Sequence, residues 1–318
     1  MKVARYIGNG KVEIIDEPAP SCPEGGLLIQ TQASGLCSGE LMSWYMDRKI
    51  PHVLGHEVAG IVTESQDEKF KVGDLVFPHH HAPCLQCEEC NAGHYVHCDQ
   101  WRRTKLVPGG LVETFGVPKE NLTDTLVVND LRPQDAALIE PLACVMKSLR
   151  KAPPSPESNA VIGLGVMGLM HLLILGPTAI GYDLNPSRIE WAEKLGLNAR
   201  HPDEKVPADT VYVCPGSQGA FDLAASLVRP EGTILLFAPL GPSQDLKLSQ
   251  DLYFRDIKVF HSYSCGPNDT LAAANAIREG RLKAEQVISN FINIDQLPTA
   301  YEEMKAGKIL KPMVLFGA

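Results

Sequence analysis

Residues 161–183 read VIGLGVMGLMHLLILGPTAIGYD. A short apolar run ends in the glycine turn Gly163-Leu164-Gly165-Val166-Met167-Gly168. An apolar segment then runs to Gly176-Pro177, and a second short run, Ala179-Ile180-Gly181-Tyr182, ends on Asp183. The order predicts strand, glycine turn, helix, strand and acid. The three glycines serve different ends, namely a tight turn, close approach of the backbone to a pyrophosphate, and close helix–strand packing. The helix that opens at Val166 and Met167 offers its free N–H groups to the phosphates. Asp183 stands 20 residues after Gly163, about where a carboxylate meets the adenosine ribose. Such a carboxylate accepts hydrogen bonds from the 2′-OH and repels a 2′-phosphate, so the expected cofactor is NAD rather than NADP. Arg188, just beyond, completes the expected cofactor-binding set.

At 318 residues the chain has room for two domains with separate cores. Hydrophobic residues at 44%, charged residues at 21% and a mean hydropathy of −0.06 exclude a disordered or membrane-embedded chain. A net charge of −9 argues against nucleic-acid and anionic-membrane partners. The start, MKVARYIGNGKVEII, carries no signal-peptide core, and no apolar run approaches a membrane span. Nine cysteines without a secretory signal are expected to be reduced, as metal ligands or buried thiols, in a cytoplasmic protein.

Residues 1–34 read as strands and turns, with Val12-Glu13-Ile14-Ile15 and the run 27–32 as strands. After Gly35-Leu36-Cys37-Ser38-Gly39-Glu40, the triplet Gly55-His56-Glu57 heads a strand-like run through Thr63, and residues 72–77 give another turn and strand. These pieces suggest one partly open β-barrel. Cys84, Cys87 and Cys90, followed by Cys98, have the spacing of four thiolates around one tetrahedral Zn²⁺. Four protein ligands leave no open position, so this site is structural. His79, His80, His81, His94 and His97 crowd the same stretch and are expected to be surface or loop histidines. A helical run from Pro133 through Lys147 contains Leu138-Ile139-Glu140-Pro141-Leu142, where a carboxylate among apolar residues needs a partner such as a metal. Residues 151–159 (KAPPSPESN) form a Pro/Ser linker. Beyond the glycine turn, Asn185 and Pro186 cap a helix closed by Gly196, and α/β alternation continues to about residue 260. Residues 269–279 and 297–305 read as amphipathic helices and 313–316 as a closing strand.

With these motifs in this order, the chain resembles the zinc-dependent medium-chain dehydrogenases of the alcohol dehydrogenase superfamily, nearest the sorbitol, threonine and polyol dehydrogenase branch. The resemblance rests on Gly35-x-Cys37, Gly55-His56-Glu57, the four-cysteine lobe, Glu140-Pro141-Leu142, the glycine turn, Leu227-Val228-Arg229-Pro230-x-Gly232, Ser262-Tyr263-Ser264 and Gly307-Lys308. It implies an α/β protein: a GroES-like β-rich catalytic domain over 1–150 and 266–318, and a Rossmann doubly wound parallel-sheet NAD-binding domain over 151–265. The active site would lie in the cleft between them.

Matched residue by residue, Cys37, His56 and Glu140 take the places of the family's catalytic zinc ligands, which gives two zinc ions per chain. Three protein ligands keep one zinc position for water or substrate. Glu57 as a permanent ligand would make the site net anionic, so it is expected outside the coordination sphere or as an occasional ligand. The implied reaction is hydride transfer between NAD and an alcohol or polyol, or the corresponding aldehyde or ketone. The family's members are commonly dimers or tetramers, so a homo-oligomer is expected. A non-catalytic NAD-binding sensor or structural module on the same fold is the alternative.

Several positions depart from the family's pattern. The family's relay Ser or Thr is replaced by Gly39, beside Ser38, and the Asp that follows is Glu40. Met42 or Ser43 stands where a relay histidine is usual, and Ser264 stands where some members carry an arginine. Adjacent side chains on an extended or irregular turn point to different sides, so Ser38 is not expected to replace the relay. Zinc-bound hydroxide or water, or Glu57, remain as routes for the substrate proton.

Overall fold

The computed structural model describes residues 1–317 and divides into two units. One comprises Met1–Ala143 with the segment from Cys265 onward; the other is Cys144–Ser264. The first unit holds β1 (Lys2–Gly8), β2 (Lys11–Asp16), β3 (Leu27–Gly35), β4 (His52–Val53), β5 (Glu57–Ser65), β6 (Leu75–Pro78), β7 (Thr114–Val117) and β8 (Thr125–Val127). The second holds β9 (Asn159–Ile162), β10 (Ala179–Tyr182), β11 (Ala199–Arg200), β12 (Ala208–Val213), β13 (Val228–Leu236) and β14 (Lys258–His261). The chain then returns to the first unit for β15 (Asn290–Ile292) and β16 (Pro312–Leu315).

In the first unit the strand pieces fall into two sheets. A three-stranded sheet runs β2-β1-β4, and a larger one runs β15-β16-β3-β5-β6-β8 with β7 paired to β3. The inward faces supply a core of Leu27, Ile29, Val58, Val62, Val76 and Phe115. Two register facts position the site: Gly35 of β3 lies opposite Glu57 of β5, and opposite Met313 of β16 on its other side.

In the second unit every strand pair is parallel, in the order β11-β10-β9-β12-β13-β14. Numbered within the sheet this is 3-2-1-4-5-6, the doubly wound order, in which ligands bind at the carboxyl ends of the strands where the order reverses. Helices Val166–Leu175, Pro186–Lys194 and Gln218–Leu227 connect the strands. β9 is buried along its whole length, as a central strand covered on both faces must be.

The expected helix from Pro133 to Lys147 is two pieces, Pro133–Ala136 and Ile139–Lys151. Pro141 is the cause. It has no N–H to give to the carbonyl of Ala137, and its ring clashes there. A helix restarting at Ile139 puts Pro141 in the first turn, where no donor is needed. Among the described residues, no helix is long and apolar enough to cross a membrane.

Candidate active site

In the cysteine lobe, Cys87 starts the short helix Glu88–Asn91 and Cys98 starts the helix Asp99–Arg103. The sulfurs of Cys84, Cys87, Cys90 and Cys98 all lie within 4.8 Å of one another, and all are free thiols. Backbone N–H groups of Gln86 and Cys87 aimed at the sulfur pull the Cys84 thiol down to about 6, whereas burial pushes Cys90 up to about 12. Four sulfurs in one cluster, with N–H donors already turned toward them, fit a closed tetrahedral zinc site.

A second group forms where β3 and β5 end side by side. Cys37 opens the 3₁₀ turn Ser38–Leu41, and the Gly39 N–H points at its sulfur at 3.4 Å. Cys37, His56 and Glu57 offer ligand atoms within 4.8 Å of one another. Glu40 ties this group together: its buried carboxylate accepts from Gly55 N–H at 2.8 Å and Cys37 N–H at 3.3 Å, and faces His56 Nδ1 at 3.4 Å. Burial alone would lower the His56 pKa, but the interactions with Cys37 and Glu40 beside it raise it well above the usual range. Surroundings that hold a proton on His56 so strongly would hold a divalent cation as well.

Glu57 is 1% exposed and forms an ion pair with Lys311, which is 2% exposed. Lys311 Nζ also donates to Leu36 O at 2.8 Å, next to Cys37. The register explains the contact. Residue 311 precedes β16, which lies on one flank of Gly35 while Glu57 lies on the other, and a Cβ on Gly35 would run into the Glu57 carboxylate and Lys311. Glycine at 35 therefore makes room for the pair.

Glu57 is the carboxylate that groups with Cys37 and His56 within 4.8 Å. Glu140, also buried, instead groups with His79 and His80 within 4.8 Å. His79 is not a surface histidine: it is fully buried, with Nδ1 at 2.7 Å from Asp124 and Nε2 at 3.6 Å from Cys265 Sγ. The His80 ring packs at a tilt against His56 and His81, and His81 packs at a tilt against Trp101. Burial, then the neighbouring histidines, push His80 well below the usual range, and the same causes take His81 to about 3. His94 and His97 are exposed, as expected. Sequence reasoning missed Glu40 and Lys311. An acidic residue three positions after a metal-type cysteine was the available signal for Glu40; Lys311 had none.

In the second unit, β9 leads through Gly163 to Gly165, which caps the helix at Val166. A Cβ on Gly168 would collide with the Gly163 carbonyl, so only glycine lets the helix pack this close to the turn. Asp183 follows β10 and is buried. Its carboxylate accepts from Leu164 N–H at 2.6 Å and Asn185 N–H at 2.8 Å, with Arg188 Nη1 at 3.5 Å. The glycine turn, Asp183 and Arg188 therefore converge on one spot.

Residues 23–126 match the family described as Alcohol dehydrogenase GroES-like domain. D-xylulose reductase A of Aspergillus oryzae is 25% identical over 339 residues, covering 96% of this chain and 94% of the relative. D-altritol 5-dehydrogenase of Agrobacterium fabrum is 27% identical over 323 residues, covering 94% of each. The crystal structure of 2R,3R-butanediol dehydrogenase from Bacillus subtilis superimposes with a TM-score of 0.85 at 20% identity, covering 99% of both chains, and so shares the fold. Matched domain, near full-length relatives and shared fold agree with the zinc-type groups and the glycine turn: residues 23–126 form an alcohol dehydrogenase GroES-like domain, and the whole chain is similar to polyol dehydrogenases and reductases.

Proposed function

We propose that this protein is a zinc-dependent oxidoreductase that moves a hydride between NAD and an alcohol or polyol, or the corresponding aldehyde or ketone. One observation carries the reading: Cys37, His56 and Glu57 form a three-donor group on a chain that also builds a glycine-turn nucleotide site. Three donors of sulfur, nitrogen and oxygen type suit a zinc site with a position left for substrate. The relatives' names, which refer to D-xylulose and D-altritol, favour a substrate with several hydroxyl groups.

A zinc ion held by Cys37, His56 and Glu57 would act as a Lewis acid that lowers the pKa of a substrate hydroxyl. NAD would be the hydride acceptor. The chain's residues do the rest. Glu40, 3.4 Å from His56 Nδ1, would hold the His56 ring in place beside the metal. Lys311 offsets the Glu57 charge, so the donor set is less anionic than its residue types suggest. That removes the objection to Glu57 as a ligand. Gly163, Gly165 and Gly168 with the helix at Val166 would hold the pyrophosphate, and Asp183 would meet the ribose and disfavour a 2′-phosphate. Gly39 has no hydroxyl to accept the substrate proton, and Glu57 is engaged with Lys311, which leaves water or the exposed Ser38.

We also infer a homo-oligomer. β14 is the edge of its sheet, Phe260 on it is 38% exposed, and the nearby Tyr253 and Phe254 are 78% and 72% exposed. An open edge with exposed aromatics is suited to pairing with a second copy. The free cysteines suit a reducing compartment, and we assign the protein to the cytoplasm. The deciding experiment follows NADH formation by the zinc-loaded protein over a panel of polyols, simple alcohols and hydroxy amino acids. Turnover of polyols with NAD is expected. NAD binding without turnover of any member of the panel would favour the sensing module and overturn the assignment.

A further inference from the structure

His79, His80 and Glu140 form a second, separate group of metal-type donors, and three features of it exceed what an ordinary polar core needs. The first is the donor set. Two imidazoles and one carboxylate within 4.8 Å of one another, all partly or fully buried, are the combination that binds zinc in sites with an open position.

The second is the support behind His79. Its Nδ1 meets Asp124 Oδ2 at 2.7 Å, and Asp124 Oδ1 accepts from Thr270 Oγ1 at 2.6 Å. A buried carboxylate that fixes one ring nitrogen while the other faces a donor cluster is the usual backing of a metal-bound histidine. Asn121 Nδ2 donates to the His79 carbonyl at 2.9 Å and holds the backbone as well. The other nitrogen, Nε2, faces the Cys265 sulfur at 3.6 Å, a weak contact that an ion can replace.

The third is His80. Its Nδ1 is shielded from solvent and has no hydrogen-bond partner among the described residues. Leaving a buried polar nitrogen unmatched costs about 1–3 kcal/mol. The ring cannot easily turn away, because it packs at a tilt against His81 with 4.1 Å between rings, and His81 is itself held by Thr104 O at 2.9 Å and by Trp101 at 4.0 Å between rings. A cation among these donors would give that nitrogen a partner.

We propose that His79, His80 and Glu140 form a further binding position for a zinc-class divalent cation, with Asp124 as the positioning residue for His79. Neither Cys37 nor Glu57 belongs to it. It adjoins the Cys37 group, since the His80 and His56 rings lie 4.7 Å apart. The proposal does not rest on the assigned reaction, and its test does not read activity.

The full-length protein is stripped of metal, reloaded with Zn²⁺ or Co²⁺, dialysed and analysed for metal per chain. Three ions per chain are expected: one in the cysteine lobe, one at Cys37 and one here. His80→Phe and Glu140→Gln should each lose one ion and keep the cooperative melting of the parent. In the cobalt form, compared in a Cys265→Ser background because that sulfur lies 3.6 Å from His79 Nε2, the ion lost with His80→Phe should leave sulfur-to-cobalt charge-transfer absorption unchanged. Cys37→Ser should reduce that absorption. Two ions per chain in the parent would overturn the proposal. So would an unchanged count in the variants, or a loss in His80→Phe that takes sulfur-to-cobalt absorption with it, which would mean that His80 and Glu140 serve the Cys37 ion. Should His80→Phe fail to fold, Glu140→Gln, close to isosteric, decides.

Discussion

The cysteine lobe and the Cys37 group are both assembled from metal-type donors, but the chain builds them in opposite ways. The lobe takes all four sulfurs from one stretch, Cys84 to Cys98, folded by two short helices that start at its own ligands. The Cys37 group draws Cys37 from the end of β3, His56 and Glu57 from the start of β5, and Lys311 from the approach to β16. A local site is a property of spacing and can fold around its ion. A dispersed site is a property of strand register, so it must be held by the sheet before any ion arrives. The first should be tied to stability, the second to chemistry.

The sharpest way to break the comparison is to exchange those two effects. Cys37→Ser should lower kcat/KM by about 10³-fold or more, the equivalent of several kcal/mol of lost Lewis-acid stabilisation, with little change in melting temperature. Cys90→Ser should do the reverse. The binding energy of a structural zinc is folding energy, on the order of 10 kcal/mol for a complete site. Calorimetry and steady-state kinetics on the two variants give the answer. Equal melting losses would show that both sites are structural.

Lys311→Met probes whether Glu57 is a ligand. Removing one partner of a buried ion pair typically costs about 3–5 kcal/mol, because the other charge is left uncompensated. A metal on Glu57 would supply that compensation. The variant should therefore melt much lower than the parent after mild chelation that spares the four-thiolate ion, and only slightly lower when loaded. The same loss in both states would separate Glu57 from the metal.

These cases also mark what could be read from sequence. The glycine turn, Asp183 and the four cysteines were legible because each is a short-range pattern with a mechanism: a turn, a spacing, an acid at a strand end. The helix break before Ile139 was hidden because the apolar run continues through Pro141, and only the missing N–H stops it. β1 reads KVARYIG, in which apolar and polar residues do not alternate cleanly, so only the general strand-and-turn reading of residues 1–34 covered it. The histidines were misread for a different reason. His79 is buried because Asp124 and Cys265, far away in sequence, receive it. Glu57 was expected outside the coordination sphere or as an occasional ligand, on a charge argument that did not include Lys311, which pairs with it.

Asp183→Ser carries the comparison to the second unit, where the site is again local. The variant should narrow the preference for NAD over NADP by about 10–100-fold in kcat/KM ratio, since one charge repulsion and a pair of ribose hydrogen bonds are lost. Asp183 also holds the Leu164 N–H at 2.6 Å, so weaker binding of both cofactors is expected too. An unchanged ratio would show that the carboxylate serves the turn alone and that the ribose is read elsewhere.

The smallest effect is expected at Ser38. Gly39 occupies the position where a hydroxyl relay is usual, and Ser38 is the nearest hydroxyl in sequence. Ser38 is exposed, however, and starts the 3₁₀ turn whose neighbouring residue Glu40 points inward to Gly55 and His56. A side chain directed to solvent is poorly placed to take a proton from a substrate at Cys37. Ser38→Ala should therefore keep kcat within about twofold, against the 10²–10⁴-fold that a positioned general acid–base group usually contributes. Gly39→Ser is the complementary variant. A Cβ there meets only the Cys37 sulfur, at an ordinary 3.5 Å, so the turn has room for the side chain. If proton release limits turnover, the added hydroxyl should raise kcat below the pH optimum. A loss of 10²-fold or more in Ser38→Ala, with Gly39→Ser unchanged, would move the relay to Ser38 and make this turn, like the cysteine lobe, a site built from adjacent residues.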